Sequence, residues 1–417
     1  MDGTVGYCWR NCNGNYGCAG LAAQFFTILA WEECCRIWPG DGKKELLSQL
    51  GKRGINGKDH FVFAQRYILL DEEVNNFNFY DRHREALKDH DVFIRCRPLK
   101  THSIVSKNLH PFCPEEMAAR LFWKKRYMYN ISDRCGHQMQ IVFLGFGELG
   151  EEVLHYALLS NIFSPAQRIE YHIFGNGDTF SAIHTELASI SDPVIFHQEA
   201  WYTQLALLEQ AHALLVLEQE DQLALLESLL LATTRSGIDV FAADRTIVEL
   251  FAVQNRLELF YWIQEVQKPE YILNDMLIKQ AKRIHLRYAS IYDGVPENDE
   301  NMEREWQKLD DAFLRYSNIS AADYHEVRLK IFASMGQPTN GQKLQPELLE
   351  LLAELEHIRW CRYYYLNNWK FGIPENGTRK DPQKRIHANL LIFENLSDAE
   401  REKDRESVLI QLSASVR

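Results

Sequence analysis

A short apolar segment that ends in three spaced glycines constrains the fold of this chain more than any other feature. Residues 140–144 have the length and composition of a buried strand, and Gly145, Gly147 and Gly150 follow before an apolar, helix-like run through Leu159. A strand, a G-x-G-x-x-G loop and a helix in this order are typical of a dinucleotide-binding βαβ unit. The glycines would let the backbone approach a pyrophosphate at the helix N-terminus.

The next predicted strand, Arg168 to Phe174, lacks the acidic residue that holds the ribose in dinucleotide-binding proteins. The strand runs into Gly175, and Asp178 comes only after the loop has turned. Two interpretations stay open. The loop binds NAD or another adenine nucleotide, or it only packs the helix against the strand.

Strands and helices alternate beyond this unit. Apolar strands are predicted at 192–197, 211–217 and 238–243. This alternation predicts a parallel sheet with helices on both faces. A shorter copy of the layout comes earlier, with a strand at 60–70, a helix after it and a second strand from Asp91. Two α/β modules are therefore expected, the first abbreviated.

The N-terminal segment 1–35 is rich in cysteine and glycine. Gly14, Gly17 and Gly20 precede an apolar run, Leu21 to Trp31, that reads as a helix. The cysteines form no C-x-x-C pair and have no nearby histidine, which weakens a zinc interpretation. The glycines form either a degenerate phosphate loop or only a turn, and we expect buried thiols here rather than a metal site.

Two predicted helices near the C-terminus share the pattern A-x-x-x-H-x-R-aromatic. It occurs at Ala281, His285, Arg287 and Tyr288, and again at Ala353, His357, Arg359 and Trp360. Repetition of this kind suggests two pseudo-repeated halves, 275–335 and 345–417. A helix face with alanine, histidine and an aromatic ring, edged by arginine, can hold a purine by stacking and phosphates by charge. The alternative is that these residues pack the helices together.

The second helix begins a longer resemblance. The segments H-I-R-W, N-N-W-K-F-G and D-P-Q-K-R-I-H-A-N-L within 353–405 resemble a ryanodine-receptor repeat (RyR) domain. The positions that agree with the family pattern are His357, Trp360, Trp369, Gly372, Lys384, His387 and Leu396. The chain departs from it at Asn368, where the family has glycine, and at Ala388, where it has proline. Turn geometry at these two positions is therefore in doubt.

The α/β part has a resemblance of its own. Residues 60–270 are similar to RCK/TrkA-N-type nucleotide-binding domains, which regulate potassium channels and transporters. F-C-P-E-E-M-A-A-R-L-F at 112–122 resembles the segment that closes the first such domain in bacterial or phage-type proteins with a C-terminal RyR domain. Many members begin with channel-like membrane helices. None is predicted here, so pore function is not carried over.

The predicted fold class is α/β. Two Rossmann-like modules, 1–136 and 137–270, are followed by a mostly α-helical RyR-like domain, 271–417. Net charge is −12 at pH 7, which argues against a general nucleic-acid binder. No apolar run is long enough to span a bilayer, and no signal peptide is recognisable. The nine cysteines are an odd number without a dense disulfide pattern, so a cytoplasmic location is expected.

The resemblance implies the function. Some RyR repeats take up adenine nucleotides between tryptophans, which suggests a ligand-sensing regulatory protein with a nucleotide ligand and a homodimeric state. Trp360 and Trp369 are the predicted stacking groups. The predicted polar or phosphate contacts are His357, Arg359, Lys384 and His387, with His285, Arg287 and Tyr288 contributed by the twin helix.

Two alternatives belong to other classes. The Gly145–Gly150 loop could serve an NAD(H)-dependent oxidoreductase, or the protein could be a ligand-free assembly module for a membrane channel or another effector. We favour a protein that is not an enzyme, because no nucleophile elbow, H-E-x-x-H or P-loop lysine motif is present and no catalytic residues or metal ligands can be assigned.

Overall fold

The computed structural model of this protein describes the following residues: 6–10, 16–20, 26–30, 54–55, 66–69, 72–97, 108–243, 255–273, 275–335, 344–375 and 377–414. The chain forms two compact units. The first comprises Met1–Ala118, Tyr261–Leu277 and Asp310–Phe313, and the second comprises Ala119–Phe260, Ile278–Leu309 and Leu314–Arg417. The prediction of three domains, 1–136, 137–270 and 271–417, stays a prediction.

Strands and helices follow one another along the described residues. The strands are β1 (Gly6–Arg10), β2 (Tyr16–Gly20), β3 (Phe26–Ala30), β4 (Gly54–Ile55), β5 (Arg66–Leu69), β6 (Asp91–Arg95), β7 (Leu109–Phe112), β8 (Gln138–Leu144), β9 (Arg168–Phe174), β10 (Val194–His197), β11 (Ala213–Val216), β12 (Ile238–Phe241), β13 (Leu257–Phe260), β14 (Lys370–Phe371), β15 (Lys380–Asp381) and β16 (Ile386–His387). The helices are α1 (Glu73–Arg82), α2 (Arg84–Leu87), α3 (Pro114–Lys125), α4 (Tyr129–Arg134), α5 (Glu148–Ser160), α6 (Asp178–Ile183), α7 (Leu205–Gln210), α8 (Gln222–Ala232), α9 (Trp262–Val266), α10 (Pro269–Ile272), α11 (Lys279–Asp293), α12 (Asp299–Lys308), α13 (Ala312–Ser334), α14 (Pro346–Leu366) and α15 (Asp398–Ser413).

The first unit contains a seven-stranded sheet in the order β4-β2-β1-β3-β5-β6-β7. Strands β1, β3, β5, β6 and β7 run parallel to one another. Strand β2 pairs antiparallel with both β1 and β4. The predicted strand at 60–70 is confirmed over β5, and residues 60–65 lie outside the described residues. The helix predicted for Leu21 to Trp31 is wrong, because Phe26–Ala30 is strand β3. Its F-T-I-L core is rich in β-formers and pairs on both sides.

The second unit is built on a six-stranded parallel sheet in the order β10-β9-β8-β11-β12-β13. This is the doubly wound order. Strands β9 and β10 are added on one side of β8, and β11, β12 and β13 on the other, so the strand order reverses between β8 and β11. The predicted parallel sheet is therefore confirmed. Strands β11 and β12 and the second half of β8 are buried and mostly apolar, as is typical of parallel strands covered on both faces.

Helix α5 lies in the middle of the second unit. It is apolar almost all round, and its residues from Val153 to Ser160 are all buried. A helix of this kind must be covered on every side. It packs against α14, and the indole N–H of Trp123 in α3 donates to the carbonyl of Val153 at 2.9 Å. Helix α5 is therefore covered in part by the helical region and by α3.

The helical region consists of α11 to α15 and a three-stranded sheet in the order β14-β16-β15. Helix α12 ends at Lys308, and α13 starts at Ala312. The Asp311 carboxylate accepts the backbone N–H of Phe313 at 2.9 Å, which is the kind of local bond that starts a new helix. Among the described residues, no helix has the length and apolar content needed to cross a bilayer.

Buried polar contacts join the helical region to the sheet layer within the second unit. Arg120 on α3 pairs with Asp323 on α13 at 2.6 Å. Arg362 on α14 pairs with Asp192, just before β10, also at 2.6 Å. Both pairs are almost fully sealed from solvent. Since breaking such a pair leaves a buried charge, these contacts fix how α13 and α14 lie on the α/β layers.

Candidate functional site

Five rings of the helical region form one contiguous group, which we call the aromatic cluster: His357, Trp360, Tyr364, Trp369 and His387. The centroid of the Trp360 ring lies 5.6 Å from that of His357, 4.3 Å from that of Tyr364 and 4.9 Å from that of His387. Trp369 joins through Tyr364, at 5.2 Å. Four of the residues predicted to bind a ligand, namely His357, Trp360, Trp369 and His387, therefore lie together.

Helix α14 and the turn after it assemble the cluster. His357, Trp360 and Tyr364 are spaced by three and four residues, so they share one face of the helix. The turn then returns Trp369 to this face, where its backbone N–H donates to the Tyr364 carbonyl at 3.0 Å. Asn368 makes the turn possible with a φ of 61°.

The two departures from the RyR pattern have clear structural roles. Asn368 adopts the left-handed conformation that glycine favours and that asparagine tolerates better than most residues. Its side chain also donates to the Ile183 carbonyl at 2.7 Å and accepts the Thr185 N–H at 2.9 Å. At the other position, the Ala388 N–H donates to the Arg379 carbonyl at 2.9 Å, a bond that proline could not make.

The three-stranded sheet lays a row of side chains beside the cluster. His387 on the middle strand β16 is the register partner of Phe371 on β14 and of Lys380 on β15. Residues paired directly across strands share one face of a sheet. Phe371 is 50% exposed, Lys380 is exposed, and Trp360 is partly exposed. One edge of the aromatic cluster is thus open to solvent and carries a cation.

His357 is held as a cation at the inner edge of the cluster. Its Nδ1 lies 3.1 Å from the Asp404 carboxylate, and its Nε2 lies 2.9 Å from the Leu391 carbonyl. Both neighbours accept hydrogen bonds, so both ring nitrogens carry protons. Burial opposes the charge, but the hydrogen bonds to Asp404 and then Cys361 outweigh it and raise the pKa of His357 to about 10.

His387 is held neutral. Its Nδ1 accepts the backbone N–H of Asn389 at 3.0 Å, which places the ring proton on Nε2. Burial, followed by the positive charge of Lys380, lowers the pKa of His387 to about 4; Glu400 opposes this, while Arg379 and His357 add to it. The two histidines of one cluster therefore differ in charge at neutral pH.

We expect an NMR titration of the imidazole resonances to show the pKa values of these two histidines shifted in opposite directions from the ordinary value. His357 should stay protonated until about pH 10, and His387 should stay neutral down to about pH 4. The raised pKa of His357 gives a stability contribution that is complete below the ordinary histidine value of 6.5 and lost as pH rises towards 10. The lowered pKa of His387 gives a contribution present above pH 6.5 and lost towards pH 4.

Asp404→Asn is the control for this titration. Loss of the carboxylate should lower the pKa of His357 and leave that of His387 nearly unchanged. Deprotonation of His357 below pH 7 in the unsubstituted protein would contradict the assigned pairing.

Arg359, predicted to contact phosphate, faces the interior. Its guanidinium makes hydrogen bonds of 2.9 and 3.0 Å to the Glu356 carboxylate and also reaches the Ser320 hydroxyl. Glu356 pairs in addition with Arg328 at 2.6 Å. All these side chains are buried. Arg359 therefore belongs to a buried ionic group and not to the open edge.

The residues predicted on the twin helix also lie apart from the aromatic cluster. His285 packs edge-on against Trp306, with ring centroids 6.1 Å apart. Arg287 pairs with Glu297 and bonds the Ser413 hydroxyl, and Tyr288 donates to Ser407 at 2.8 Å. Helices α11 and α14 both pack on α15. Lys384, on the same sheet region as His387, pairs with Glu375 at the surface at 2.9 Å.

The glycine loop after β8 is shaped by close packing. Gly145 has a φ of 92°, and a Cβ there would lie 2.5 Å from the backbone nitrogen of Glu218. A Cβ at Gly147 would meet open space at the start of α5, and one at Gly150 would lie 3.0 Å from the Phe146 ring. At Gly145 the backbone of Glu218 therefore leaves no room for a side chain, so this glycine is required whether or not a ligand binds.

Phe146 fills the place next to the end of β9. A Cβ on Gly175 would lie 2.6 Å from the Cβ of Phe146, so the loop sits directly on the residue where a ribose-binding acid is usually found. The Phe146 ring packs edge-on against Phe180 at 5.7 Å and Phe196 at 5.4 Å. Glu148 and Glu151 occupy the first turn of α5. Apolar filling and nearby carboxylates do not favour a dinucleotide at this loop.

Two residues of the candidate site were not singled out from the sequence. Tyr364 bridges Trp360 and Trp369, and its spacing of four residues from Trp360 could have revealed it. Lys380 had no such signal, because its place beside His387 depends on the pairing of β15 with β16. In the part of the chain that the structure describes, no group of three or more metal-ligating side chains is found.

The fold and the site define an α/β protein whose six-stranded parallel sheet carries a helical region with a partly open aromatic cluster. Comparison with family models, curated proteins and solved structures gave no match. The likeness to RCK/TrkA-N and RyR domains therefore stays a resemblance of sequence patterns.

Proposed function

We propose that this is a ligand-sensing regulatory protein that binds an adenine nucleotide or a related nucleotide signal at the aromatic cluster. The observation that carries the proposal is Trp360, a partly exposed indole held between other rings beside an exposed lysine. Stacking on such a ring suits a nucleobase, and a cation at the edge suits its phosphates. Phe371, on the same face, extends the apolar surface.

The site is linked to the α/β layers through the end of α14. The Leu366 carbonyl accepts a hydrogen bond from His184 Nδ1 at 2.6 Å, and Asn368 donates to Ile183 at the end of α6. Helix α6 follows strand β9 directly. Ligand binding that moved the turn carrying Trp369 would therefore also change contacts beside the sheet. The effect is limited to the difference in ligand affinity between the two arrangements.

Isothermal titration calorimetry with ATP, ADP-ribose, NAD and cyclic nucleotides tests the proposal. We expect one class to bind, and Trp360→Leu to weaken it by roughly 5- to 150-fold, because loss of base stacking costs about 1–3 kcal/mol. Trp201→Leu is the matched control. Trp201 is also partly exposed, but it lies in the short helix Trp201–Thr203 outside the aromatic cluster.

Absence of binding by every nucleotide of the panel would sink the proposal. Equal affinity in the unsubstituted protein and in Trp360→Leu would show that the ligand binds outside the aromatic cluster. Equal weakening by Trp201→Leu would show a general loss of folding and not a contact with ligand.

A homodimer or an assembly role is the second candidate, and helix α8 is the observation that favours it. Leu231 is 84% exposed and Leu223 is 43% exposed on the same helix. Apolar side chains grouped at a surface are typical of contacts between protein chains. A homodimer of this kind is compatible with ligand binding at the aromatic cluster. The proposal of an NAD(H)-dependent oxidoreductase has less support, because Phe146 fills the end of β9.

A further inference from the structure

The open edge of the aromatic cluster presents hydrogen-bond donors. His387 carries its proton on Nε2, because Nδ1 is used as an acceptor for the Asn389 N–H. Within the described residues, no acceptor is hydrogen-bonded to this Nε2–H or to the indole N–H of Trp360. The two rings meet edge to face at 4.9 Å.

A positive charge completes this edge. Lys380 stands directly across from His387, and no carboxylate of the described residues lies within ion-pair distance of its ammonium group. The neighbouring cations differ in this respect, since Arg379 pairs with Glu400 and Lys384 pairs with Glu375, both at 2.9 Å. Unlike Arg379 and Lys384, Lys380 is therefore available to a ligand at this edge.

The carboxylate of Glu400, whose charge acts on His387, already has several partners. Glu400 accepts hydrogen bonds from Asn389 at 2.6 Å and from Lys403 at 2.8 Å, in addition to its pair with Arg379. An ionised carboxylate has a limited number of acceptor positions. Glu400 is therefore poorly suited to receive a donor from a ligand.

We infer that this edge recognises the phosphoryl group of the nucleotide, with Trp360 Nε1–H, His387 Nε2–H and the Lys380 ammonium as its donors. This inference rests on the proposed function and specifies which part of the ligand is read. A phosphate presents only acceptors to such a set. An adenine edge presents an amino donor as well as ring acceptors, and none of these three donors can match the amino group. The base is held by stacking, which does not distinguish adenine from guanine.

Calorimetry with ATP, GTP, adenosine and inorganic tripolyphosphate tests the inference. We expect ATP and GTP to bind within about threefold of each other, and adenosine to bind at least about tenfold more weakly than ATP. Tripolyphosphate should compete with ATP, which separates recognition of phosphate from recognition of the whole nucleotide. Higher salt should weaken ATP and leave adenosine nearly unchanged.

Variants identify the donors. Lys380→Gln should weaken ATP by about tenfold and leave adenosine unchanged. Lys370→Gln is the matched control, because Lys370 is an exposed lysine next to Phe371 on β14 and points to the opposite face of the sheet. His387→Phe keeps a ring but removes the donor and should weaken ATP, whereas His387→Gln restores an N–H and should recover part of the affinity.

The outcomes separate this inference from the proposed function. Adenosine that binds as tightly as ATP, with no effect of Lys380→Gln, overturns recognition of phosphate and leaves nucleotide binding intact. A preference for ATP over GTP of more than about tenfold overturns the inference as well, because it requires reading of the base. No binding of any of the four compounds overturns the inference, and the proposed function falls with it only if ADP-ribose, NAD and the cyclic nucleotides also fail to bind.

Discussion

Glu356→Gln is expected to destabilise helices α13 and α14 by about 3–5 kcal/mol, the range found when a buried ion pair loses one partner. Glu356 is the shared counter-ion of Arg328 and Arg359, both of which are buried. Gln411 supplies further bonds but no charge: its amide donates to Glu356 at 3.1 Å. A neutral glutamine would leave two guanidinium groups in the interior without an anion.

Native-state hydrogen exchange of the α14 amides measures this effect, since it reports the free energy of opening of that helix. Glu350→Gln is the matched control. Glu350 lies on the same helix and pairs with Arg405 at 2.6 Å, but this pair is partly exposed. We expect it to cost less than about 1 kcal/mol. Similar exchange rates in the two variants would contradict the assigned role of Glu356.

The same carboxylate makes the helical region sensitive to acid. Burial raises the pKa of Glu356, but the charges of Arg359 and Arg328 outweigh this and hold it below its usual value. A lowered carboxyl pKa gives a stability contribution that is present above the unfolded-state pKa and lost as pH falls through the folded-state pKa. The contribution of Glu356 is therefore complete at neutral pH.

Asp192→Asn is the second large expected effect, also about 3–5 kcal/mol. Asp192 is 1% exposed and accepts three hydrogen bonds, from Arg362 at 2.6 Å, from Gln167 at 2.7 Å and from the Ile169 N–H at 2.8 Å. Asparagine keeps the shape but removes the charge, and its amide N–H would face other donors. Since Arg362 also bonds the Leu158 carbonyl, the loss reaches the packing of α14 on α5.

Hydrogen exchange should therefore accelerate at both ends of this contact, in β9 and in the second half of α14. Asp398→Asn serves as the control, because Asp398 pairs with Arg401 at the exposed start of α15. It should leave exchange in β9 and α14 nearly unchanged. Acceleration confined to the loop around residue 192 would show that the pair does not join the two layers.

The aromatic cluster was only partly predictable. The spacing of His357 and Trp360 on one helix and the position of Trp369 after a turn could be recognised in the sequence, and these rings do meet. Arg359 follows the same pattern but points elsewhere. Consecutive helix residues do not face each other, and the buried carboxylate of Glu356 and the hydroxyl of Ser320 hold the Arg359 side chain in the interior. Periodicity predicts which residues share a helix face, and the residues packed against the helix decide which face is buried.

The α/β part was also only partly predictable from the sequence. A strand, a glycine loop and a helix were predicted for 140–159, and β8 and α5 are found there. The pattern did not reveal that Phe146 packs on Gly175 and against Phe180 and Phe196. Those residues follow Phe146 at long and variable distances along the chain. Only the assembled sheet brings them to one place.

By itself the sequence determined the alternation of strands and helices, the first five strands of the parallel sheet within 138–243 and the common face of His357 and Trp360, because these follow from local periodicity and short-range sterics. The tertiary structure alone decided which arginines are buried beside carboxylates and which cation stands next to His387. Those choices depend on residues far apart in the chain, whose charges interact strongly only after folding has removed the water between them.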